Sequence, residues 1–369
     1  MPDRKSTVGT QAVSIIAPIL LLIISTICGI IIIEILYDCY LKLNSLNNTK
    51  YQNGIMFFGG NGRIFENKND IFTYSANKDI RSSAIYTKDD DFVVEYDYQF
   101  HTNNLGLVQD ADIITNISSM LLLGDSFTQG LGAAPWFPQV AGEINNLGYQ
   151  PINGGLLGTG FAQWSKLETY LNSSSVRISK IVVLFISDDY VRYIWNFSDG
   201  ELQCFSVASS CSEERFYPLP STEELSSWVN RIKNAKRSSF NERARRLLPA
   251  SYDVYRFVMR YFNLDRLRWK SEIAKSDIAI AKLLEKYGTA NVIFIHLPQK
   301  DEVGRANSFG LSARSSIEKA GGRVYDGFKL CGLTPSDYLA NDPHPNEKGY
   351  EKIALCTNRI IKQQEWLQP

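Results

Sequence analysis

The chain of 369 residues has no excess charge of either sign, since Lys plus Arg and Asp plus Glu number 39 each. Without a basic surplus there is no electrostatic field to hold a phosphate backbone, so nucleic acid is not expected as a partner. Low-complexity tracts and repeats of fixed period are also absent, which excludes solenoids, collagen-like arrays and long disordered arms. The chain is long enough, and at 44% hydrophobic residues apolar enough, to bury one large core.

Long apolar runs are scarce, and the one that stands out lies near the N-terminus, from Ala12 to Ile33. A membrane span needs about 20 such residues, and this run exceeds the apolar stretch of a signal peptide, so it predicts an uncleaved anchor over residues 12–36. Arg4 and Lys5 precede it, which places residues 1–11 in the cytoplasm by the positive-inside tendency. We therefore expect a single-pass membrane protein whose body is periplasmic or extracellular, with the lipid bilayer and membrane proteins as partners.

Cysteine is also scarce, and four of the six cysteines lie in the body of the chain: Cys204, Cys211, Cys331 and Cys356. An even number in an exported domain is what two disulfides require. Cys204 with Cys211 would close a short loop, and Cys331 with Cys356 would bracket the segment around residue 344. Four reduced, buried thiols are the alternative.

From residue 92 onward, strand-like stretches alternate with helix-like ones. The strand-like stretches are 92–100, 120–123, 181–186, 291–297 and 323–325, and the helix-like stretches are 163–171, 271–286 and 346–361. This alternation predicts a mostly parallel sheet covered on both faces, in which ligands bind beyond the carboxyl ends of the strands. Residues 37–91 are interpreted as a juxtamembrane stalk and edge segment. Residues 193–268 break the alternation and are predicted to form an insertion that shapes a lid or groove.

The motif GDSFTQG, residues 124–130, directly follows the apolar run 120–123. A serine at a sharp strand-to-helix turn exposes its hydroxyl, and the N–H groups of the following helix face a developing anion. These are the requirements of an acyl-transfer nucleophile, so Ser126 is the candidate. Alternatively, Asp125 and Ser126 serve only as helix caps.

With three histidines in the chain, few residues can act as the base that such a serine needs. His101 falls in a turn-like segment, and His296 ends an apolar strand, where a hydrogen-bonded core histidine is expected. His344 lies between two prolines that stiffen its loop, with Asp342 two residues earlier. His344 is therefore the predicted base and Asp342 the predicted orienting acid.

GDSFTQG near the start of the domain and DPHPNEKGY near its end resemble the first and last sequence blocks of the SGNH (GDSL-like) hydrolases. The resemblance spans about residues 92–364. It includes TNNLGL, residues 102–107, which is similar to a Thr-Asn-x-x-Gly stretch of bacterial membrane-anchored members that act on cell-surface carbohydrate. It implies a flavodoxin-like three-layer α/β/α sandwich, in the α/β class, over residues 92–369. The transmembrane helix predicted from the apolar run precedes this domain. Neither a cofactor nor a metal ion is expected.

The resemblance also implies an oxyanion hole built from the backbone N–H of Ser126, a glycine of the second block and an asparagine of the third. Gly158 takes the glycine position in INGGLLGTG, a segment whose glycine spacing differs from that of a dinucleotide-binding loop. The third block departs from the family, because Asp188 stands where asparagine is expected. An ionised carboxylate repels an oxyanion. Asp188 is then kept protonated by burial and by Asp189, or Ser187 donates instead, or the reaction is slow or different.

A second departure concerns the acid. The family places it three residues before the histidine, where this chain has Asn341. Asp342 must therefore reach His344 through a different loop geometry.

Two functions follow from these patterns. The first is an exported serine esterase or O-acyltransferase that acts on acyl groups, such as O-acetyl, of a cell-surface glycan or another ester through an acyl-enzyme on Ser126. The second is a catalytically weak or inactive SGNH-like module that binds glycan or scaffolds a membrane complex, which Asp188 favours. Hydrolysis and transfer use the same residues, so the sequence does not separate them.

Overall fold

The structure is a computed structural model that describes residues 22, 24–37, 39–40, 53–88, 91–133, 136–207, 211, 214–238, 248–261, 269–364 and 366. The chain divides into two compact units. Residues 1–50 and 231–267 belong to the first, and residues 51–230 and 268–369 to the second.

The described strands and helices are numbered here in chain order. The strands are β1 (Asn53–Gly59), β2 (Phe65–Lys68), β3 (Ile71–Tyr74), β4 (Lys78–Lys88), β5 (Asp91–Thr102), β6 (Ser118–Gly124), β7 (Gln150–Gly155), β8 (Arg177–Phe185), β9 (Tyr217–Pro218), β10 (Val292–His296) and β11 (Arg323–Asp326). The α-helices are α1 (Ser126–Gln129), α2 (Phe137–Asn146), α3 (Phe161–Ser173), α4 (Asp199–Ser206), α5 (Leu225–Ser238), α6 (Pro249–Tyr261), α7 (Lys270–Tyr287), α8 (Ser308–Lys319), α9 (Gly327–Leu330) and α10 (Glu347–Lys362).

The second unit is built on a five-stranded parallel sheet with the order β11-β10-β8-β6-β7. Counted along the chain from β6, this is the order 2-1-3-4-5 of doubly wound flavodoxin-like sheets. The predicted α/β class with a parallel sheet is thereby confirmed. The strand that follows β6 in the chain, β7, lies on one side of it, and the strand that follows β8, β10, lies on the opposite side. The carboxyl ends of β6 and β8 therefore frame the position where ligands bind in such sheets.

Helices cover both faces of this sheet because successive strand residues point to opposite sides. One core joins strand residues to α3, α7 and α8, and includes Leu121, Val183, Phe294, Trp164, Ile280 and Ile317. The other joins the alternate strand residues to α2 and α10, and includes Leu122, Val182, Ile293, Val140, Tyr350 and Ile353. All twelve side chains are fully or almost fully buried.

The segment that we interpreted as a stalk contributes strands to a second sheet, which has four strands. Strands β5, β4, β1 and β9 form it in that order, with β4 and β5 antiparallel along their whole length, from the pair Lys78 and Thr102 to the pair Lys88 and Asp91. Strand β9, from the predicted insertion, adds to its edge beside β1. These strands are longer than the weak sequence alternation indicated.

Residues 24–37 are helical in the first unit. Glu34 there accepts hydrogen bonds of 2.7 and 2.8 Å from the backbone N–H groups of Ala250 and Ser251, at the start of α6. Of the predicted anchor, residues 12–21 and 23 lie outside the described residues, as do the predicted cytoplasmic residues 1–11. The helices that are described include none that is both long and apolar enough to cross a membrane.

The four cysteines of the second unit are paired. Cys204 is bonded to Cys211 with 4.7 Å between their Cα atoms, and Cys331 to Cys356 with 5.0 Å. Cys331 follows α9 and Cys356 lies in α10, so the second bridge spans the loop that carries His344.

Candidate active site

Ser126 lies at the turn where β6 ends and the short helix α1 begins. A Cβ atom at Gly124 would lie 1.8 Å from Thr128 Oγ1, so glycine is required for this sharp turn. Asp125 Oδ1 caps the helix by accepting a hydrogen bond of 2.8 Å from the Phe127 N–H. The turn presents the serine hydroxyl at the carboxyl edge of the sheet, beside the backbone N–H groups of the helix start.

His344 meets this hydroxyl from the far end of the chain. Its Nε2 atom lies 2.7 Å from Ser126 Oγ, and its Nδ1 atom contacts Asp342 Oδ1. An ionised carboxylate only accepts hydrogen bonds, so Nδ1 carries the proton and Nε2 accepts from the serine hydroxyl. The three side chains form a hydrogen-bonded Ser–His–Asp chain, in which histidine is placed to remove the serine proton.

The loop before His344 lets an acid two residues away reach the imidazole. The His344 backbone N–H also donates to Asp342 Oδ1, at 2.8 Å. Asn341 faces Glu95 instead, and donates to its two carboxylate oxygens at 2.8 and 2.7 Å. The structure thus brings together the three predicted residues Ser126, His344 and Asp342, and directs Asn341 elsewhere.

Tyr86, in β4, forms a hydrogen bond with the second carboxylate oxygen of Asp342. The sequence did not indicate this residue. Its hydroxyl donates to Asp342 Oδ2 at 2.6 Å. Burial alone would raise the pKa of Asp342, but the charge of His344 and the hydrogen bonds from His344 and Tyr86 outweigh burial and lower the pKa to about 2. Burial, with the nearby Asp342 charge, raises the pKa of the Tyr86 phenol, so it stays a donor. No local motif marks Tyr86 as a partner of the acid.

Gly158 lies in the loop after β7, with φ of +70°, a conformation that favours glycine. The loop is fixed against the nucleophile turn, because the Leu156 N–H donates to the Gly124 carbonyl oxygen at 3.1 Å. The Gly158 carbonyl accepts a hydrogen bond of 3.2 Å from Trp195 Nε1, which holds the orientation of this peptide. The loop that carries Gly158 is therefore joined to the strand end that precedes Ser126, and the place of Gly158 in the oxyanion hole stays a prediction.

The two acids after β8 have opposite environments. Asp188 is exposed, and its Oδ2 accepts a hydrogen bond of 3.1 Å from Gln299. Asp189 is fully buried, and burial and the charge of Asp125 raise its pKa well above the usual range despite the charge of Arg192. The expected burial of Asp188 is therefore not observed, because the 3-10 helix Ser187–Val191 turns Asp189 inward and Asp188 outward. Its place in the oxyanion hole stays a prediction.

Ser187, the alternative donor, donates its hydroxyl to the Glu302 carboxylate, and its Oγ atom also lies 3.1 Å from His296 Nε2. Arg314 Nε donates to His296 Nδ1 at 2.6 Å, so Nε2 carries the imidazole proton. Burial and the charge of Arg314 lower the pKa of His296 to about 3. His296 is thus a neutral core histidine, as predicted. Among the described residues, no three His, Cys, Asp or Glu side chains converge to hold a metal ion.

A cavity of about 620 Å³ reaches the carboxyl end of α1, where Gln129 and Gly130 form part of its wall, but it includes neither Ser126 nor His344. Its other lining residues include Tyr98, Phe100, Phe137, Gln99, Asp110 and Asn145. His101 and Asp79 also line it, with 2.9 Å between His101 Nδ1 and Asp79 Oδ1. His101 lies in β5, and not in a turn as the sequence suggested.

No family model matches the chain. No curated protein matches it either. Among solved structures, a member of the lipolytic protein G-D-S-L family from Veillonella parvula is 12% identical, with a TM-score of 0.32, over 67% of this chain and 99% of that one. A family two carbohydrate esterase from Clostridium thermocellum is 10% identical, with a TM-score of 0.32, over 86% and 91% of the two chains.

An alpha/beta hydrolase enzyme from the Lake Arreo metagenome is 12% identical, with a TM-score of 0.32, over 70% of this chain and 99% of that one. These identities and TM-scores are too low to establish a family or an activity.

Proposed function

We propose that the chain is a serine esterase or acyltransferase of the SGNH type, with Ser126 as nucleophile. The observation that carries this proposal is the hydrogen-bonded chain from Ser126 through His344 to Asp342. The resemblance of GDSFTQG and DPHPNEKGY to the first and last SGNH blocks supports the same assignment. The flavodoxin-like strand order of the parallel sheet is consistent with it.

In the first step, Ser126 Oγ attacks the ester carbonyl carbon while His344 Nε2 takes the hydroxyl proton. Asp342 stabilises the resulting imidazolium, and the N–H groups of Ser126 and Gly158 stabilise the oxyanion. Collapse of the tetrahedral intermediate breaks the bond to the alcohol oxygen. The alcohol leaves with the proton from His344, and the acyl group remains on Ser126.

In the second step, water or a sugar hydroxyl gives its proton to His344 and attacks the acyl carbon. The bond between the acyl group and Ser126 Oγ breaks, and His344 returns the proton to Oγ. The product is a free acid when water attacks and a new ester when a sugar attacks.

We infer that the substrate is a cell-surface glycan that carries ester-linked acyl groups, such as O-acetyl. We also infer that the N-terminal segment anchors an exported domain. The TNNLGL segment supports the substrate class, as does a cavity that combines aromatic rings with amides and carboxylates, the groups that contact sugars. Two disulfides support export, because disulfides persist in oxidising compartments.

One observation favours a weak or inactive glycan-binding module instead. The position of the third oxyanion donor holds Asp188, an exposed acid bound to Gln299. A hole limited to two backbone N–H groups would stabilise the oxyanion less.

An ester assay on the full-length protein separates the two functions. Hydrolysis of p-nitrophenyl acetate is measured for wild type, for Ser126→Ala and for Ser118→Ala. Ser118 begins the same strand β6, and its hydroxyl bonds that of Ser179 at 2.7 Å, away from the triad. Wild type and Ser118→Ala should hydrolyse the ester at similar rates, and Ser126→Ala should be slower by about a thousandfold or more. Equal rates for wild type and Ser126→Ala would favour the inactive module.

A further inference from the structure

A single guanidinium group joins the turns that surround the candidate oxyanion hole. Arg192 Nη1 lies 3.0 Å from Asp125 Oδ2, beside the nucleophile, and 3.2 Å from Asp189 Oδ1. The same nitrogen donates to the carbonyl oxygen of Thr159 at 3.2 Å, next to Gly158. Arg192 therefore links the loops after β6, β7 and β8.

The acids that Arg192 contacts are both fully buried, whereas the Arg192 side chain is 23% exposed. Burying an ionised carboxylate without a cation beside it costs free energy of folding, so one cation can compensate only one ionised carboxylate of a buried pair. Burial and the charge of Asp125 hold the pKa of Asp189 well above its usual range. Arg192 therefore supplies a positive charge that offsets the negative charge of this buried pair, at 3.0 Å from Asp125 and 3.2 Å from Asp189.

Asp125 Oδ2 is also a competitor for the serine proton. It lies 3.4 Å from Ser126 Oγ, whereas His344 Nε2 lies 2.7 Å from the same hydroxyl. Without Arg192, this oxygen would be a buried, unpaired acceptor beside the nucleophile, and a hydrogen bond from the serine hydroxyl would satisfy it. Its negative charge would also oppose the oxyanion that forms during acyl transfer.

We propose that Arg192 is a positioning residue: it occupies Asp125 Oδ2, so that the Ser126 hydroxyl donates to His344, and it fixes the Gly158 loop through the Thr159 carbonyl. This role rests on the proposed function. It assigns to Arg192 the neutralisation of a buried negative charge at the nucleophile, a task outside the triad and the predicted oxyanion hole.

A double-variant cycle tests this role. The kcat and KM for p-nitrophenyl acetate are measured for wild type, Arg192→Met, Arg192→Lys, Asp125→Asn and the double variant Asp125→Asn with Arg192→Met. We expect Arg192→Met to lower kcat by about 10- to 100-fold with little change in KM, because the substrate itself does not depend on this contact. Arg192→Lys should keep part of the activity, since the lysine ammonium retains the positive charge but lacks the planar set of donors of the guanidinium.

The double variant is the decisive member. Asparagine keeps an oxygen to cap α1 but carries no charge, so the double variant should be several-fold more active than Arg192→Met alone. A purely structural role would lower the melting temperature of Arg192→Met without lowering the kcat of the folded protein. That result, or a double variant no more active than Arg192→Met, would overturn the proposal.

The rate of phosphonylation of Ser126 by a fluorophosphonate, followed by mass spectrometry, is measured on the same variants. A wild type that neither reacts nor hydrolyses the ester refutes the proposed function and this role with it. If wild type reacts and both Arg192→Met and Arg192→Lys react at the wild-type rate, the role of Arg192 is refuted and the proposed function is not.

Discussion

At the residue scale, the Asp342 carboxyl depends on donors from two distant parts of the chain. His344 supplies two of them from the same loop, and Tyr86 supplies the third from β4. Because Tyr86 binds the oxygen that His344 Nδ1 does not contact, it fixes the rotation of the carboxyl group. The residue that orients the base is itself oriented by the antiparallel sheet.

Tyr86→Phe should lower kcat by about tenfold with KM nearly unchanged, a loss typical of one hydrogen bond to a charged group. Steady-state kinetics on p-nitrophenyl acetate measure this. Tyr190→Phe is the matched control, because Tyr190 also donates to a carboxylate, Asp277, at 2.5 Å, outside the triad. Both variants should lose similar stability, and equal kinetics for the two would contradict a role for Tyr86 at the acid.

Asp188→Asn should leave the rate and the pH profile of ester hydrolysis unchanged within about twofold, because the Asp188 side chain is exposed and bound to Gln299. The profile is recorded across the active pH range for wild type and variant. A higher rate, or activity that persists to higher pH in the variant, would return Asp188 to the oxyanion hole.

Ser126 and His344 could be singled out from the sequence because each lies in a local motif with its own turn chemistry. Asp188 was expected to be buried, but Asp189 is the buried acid, because a 3-10 turn directs neighbouring side chains to opposite environments and this turn was not predictable from SDDYV. Tyr86 and Arg192 escaped for a different reason. Their partners lie 256 and 67 residues away, and only the fold brings them together.

At the element scale, the long apolar strands and the amphipathic helices were predictable, and β6, β8, β10, α3, α7 and α10 occur where hydrophobic patterns indicated. Strand β7 was missed because its sequence QPINGG has a single aliphatic residue. Its glycines serve packing: a Cβ atom on Gly155 would lie 2.1 Å from the Gln129 backbone nitrogen. Close contact between β7 and α1 therefore excludes the side chains that mark a strand in sequence.

The Cys331–Cys356 bridge should stabilise the second unit more than Cys204–Cys211, because it closes a loop of 25 residues and the other a loop of 7. Loop-closure entropy predicts losses of about 3 to 4 kcal/mol for Cys331→Ala with Cys356→Ala and about 2 kcal/mol for Cys204→Ala with Cys211→Ala. Denaturant unfolding of the two double variants measures both values. A larger loss for the Cys204 and Cys211 pair would contradict this order.

At the scale of the whole molecule, the sequence indicated one catalytic body but not the division of the chain into two units. Residues 231–267, inside the predicted insertion, belong with residues 1–50 and not with the sheet that carries Ser126. This grouping depends on contacts such as that of Glu34 with the start of α6, across more than 200 residues. Hydrophobic patterning reports which faces are apolar, and does not report which distant segment covers them.

Acid should destabilise the fold partly through His296. Its pKa is about 3 in the fold and about 6.5 in the unfolded chain, so the unfolded state binds more protons between these values. The stability due to neutral His296 is present above about pH 6.5 and is lost as the pH falls toward 3. Between about pH 7 and pH 4.5 this loss is on the order of 2 to 3 kcal/mol.

His296→Gln tests this pH dependence, because glutamine can bond Ser187 and Arg314 without titrating. Its free energy of unfolding should fall less than that of wild type between about pH 7 and pH 4.5, by the same 2 to 3 kcal/mol. Urea unfolding at the two pH values gives the difference. Parallel losses in the two proteins would show that His296 does not titrate on unfolding in this range.

The most direct test of Ser126 as an activated nucleophile is covalent trapping on the full-length protein. The chain is treated with a fluorophosphonate and the modified peptide is located by mass spectrometry, for wild type and for His344→Gln. We predict one adduct, on Ser126, formed about a thousandfold more slowly in His344→Gln because the base is gone. No adduct on wild type, an adduct on another serine, or an equal rate in His344→Gln would contradict the proposed catalytic serine.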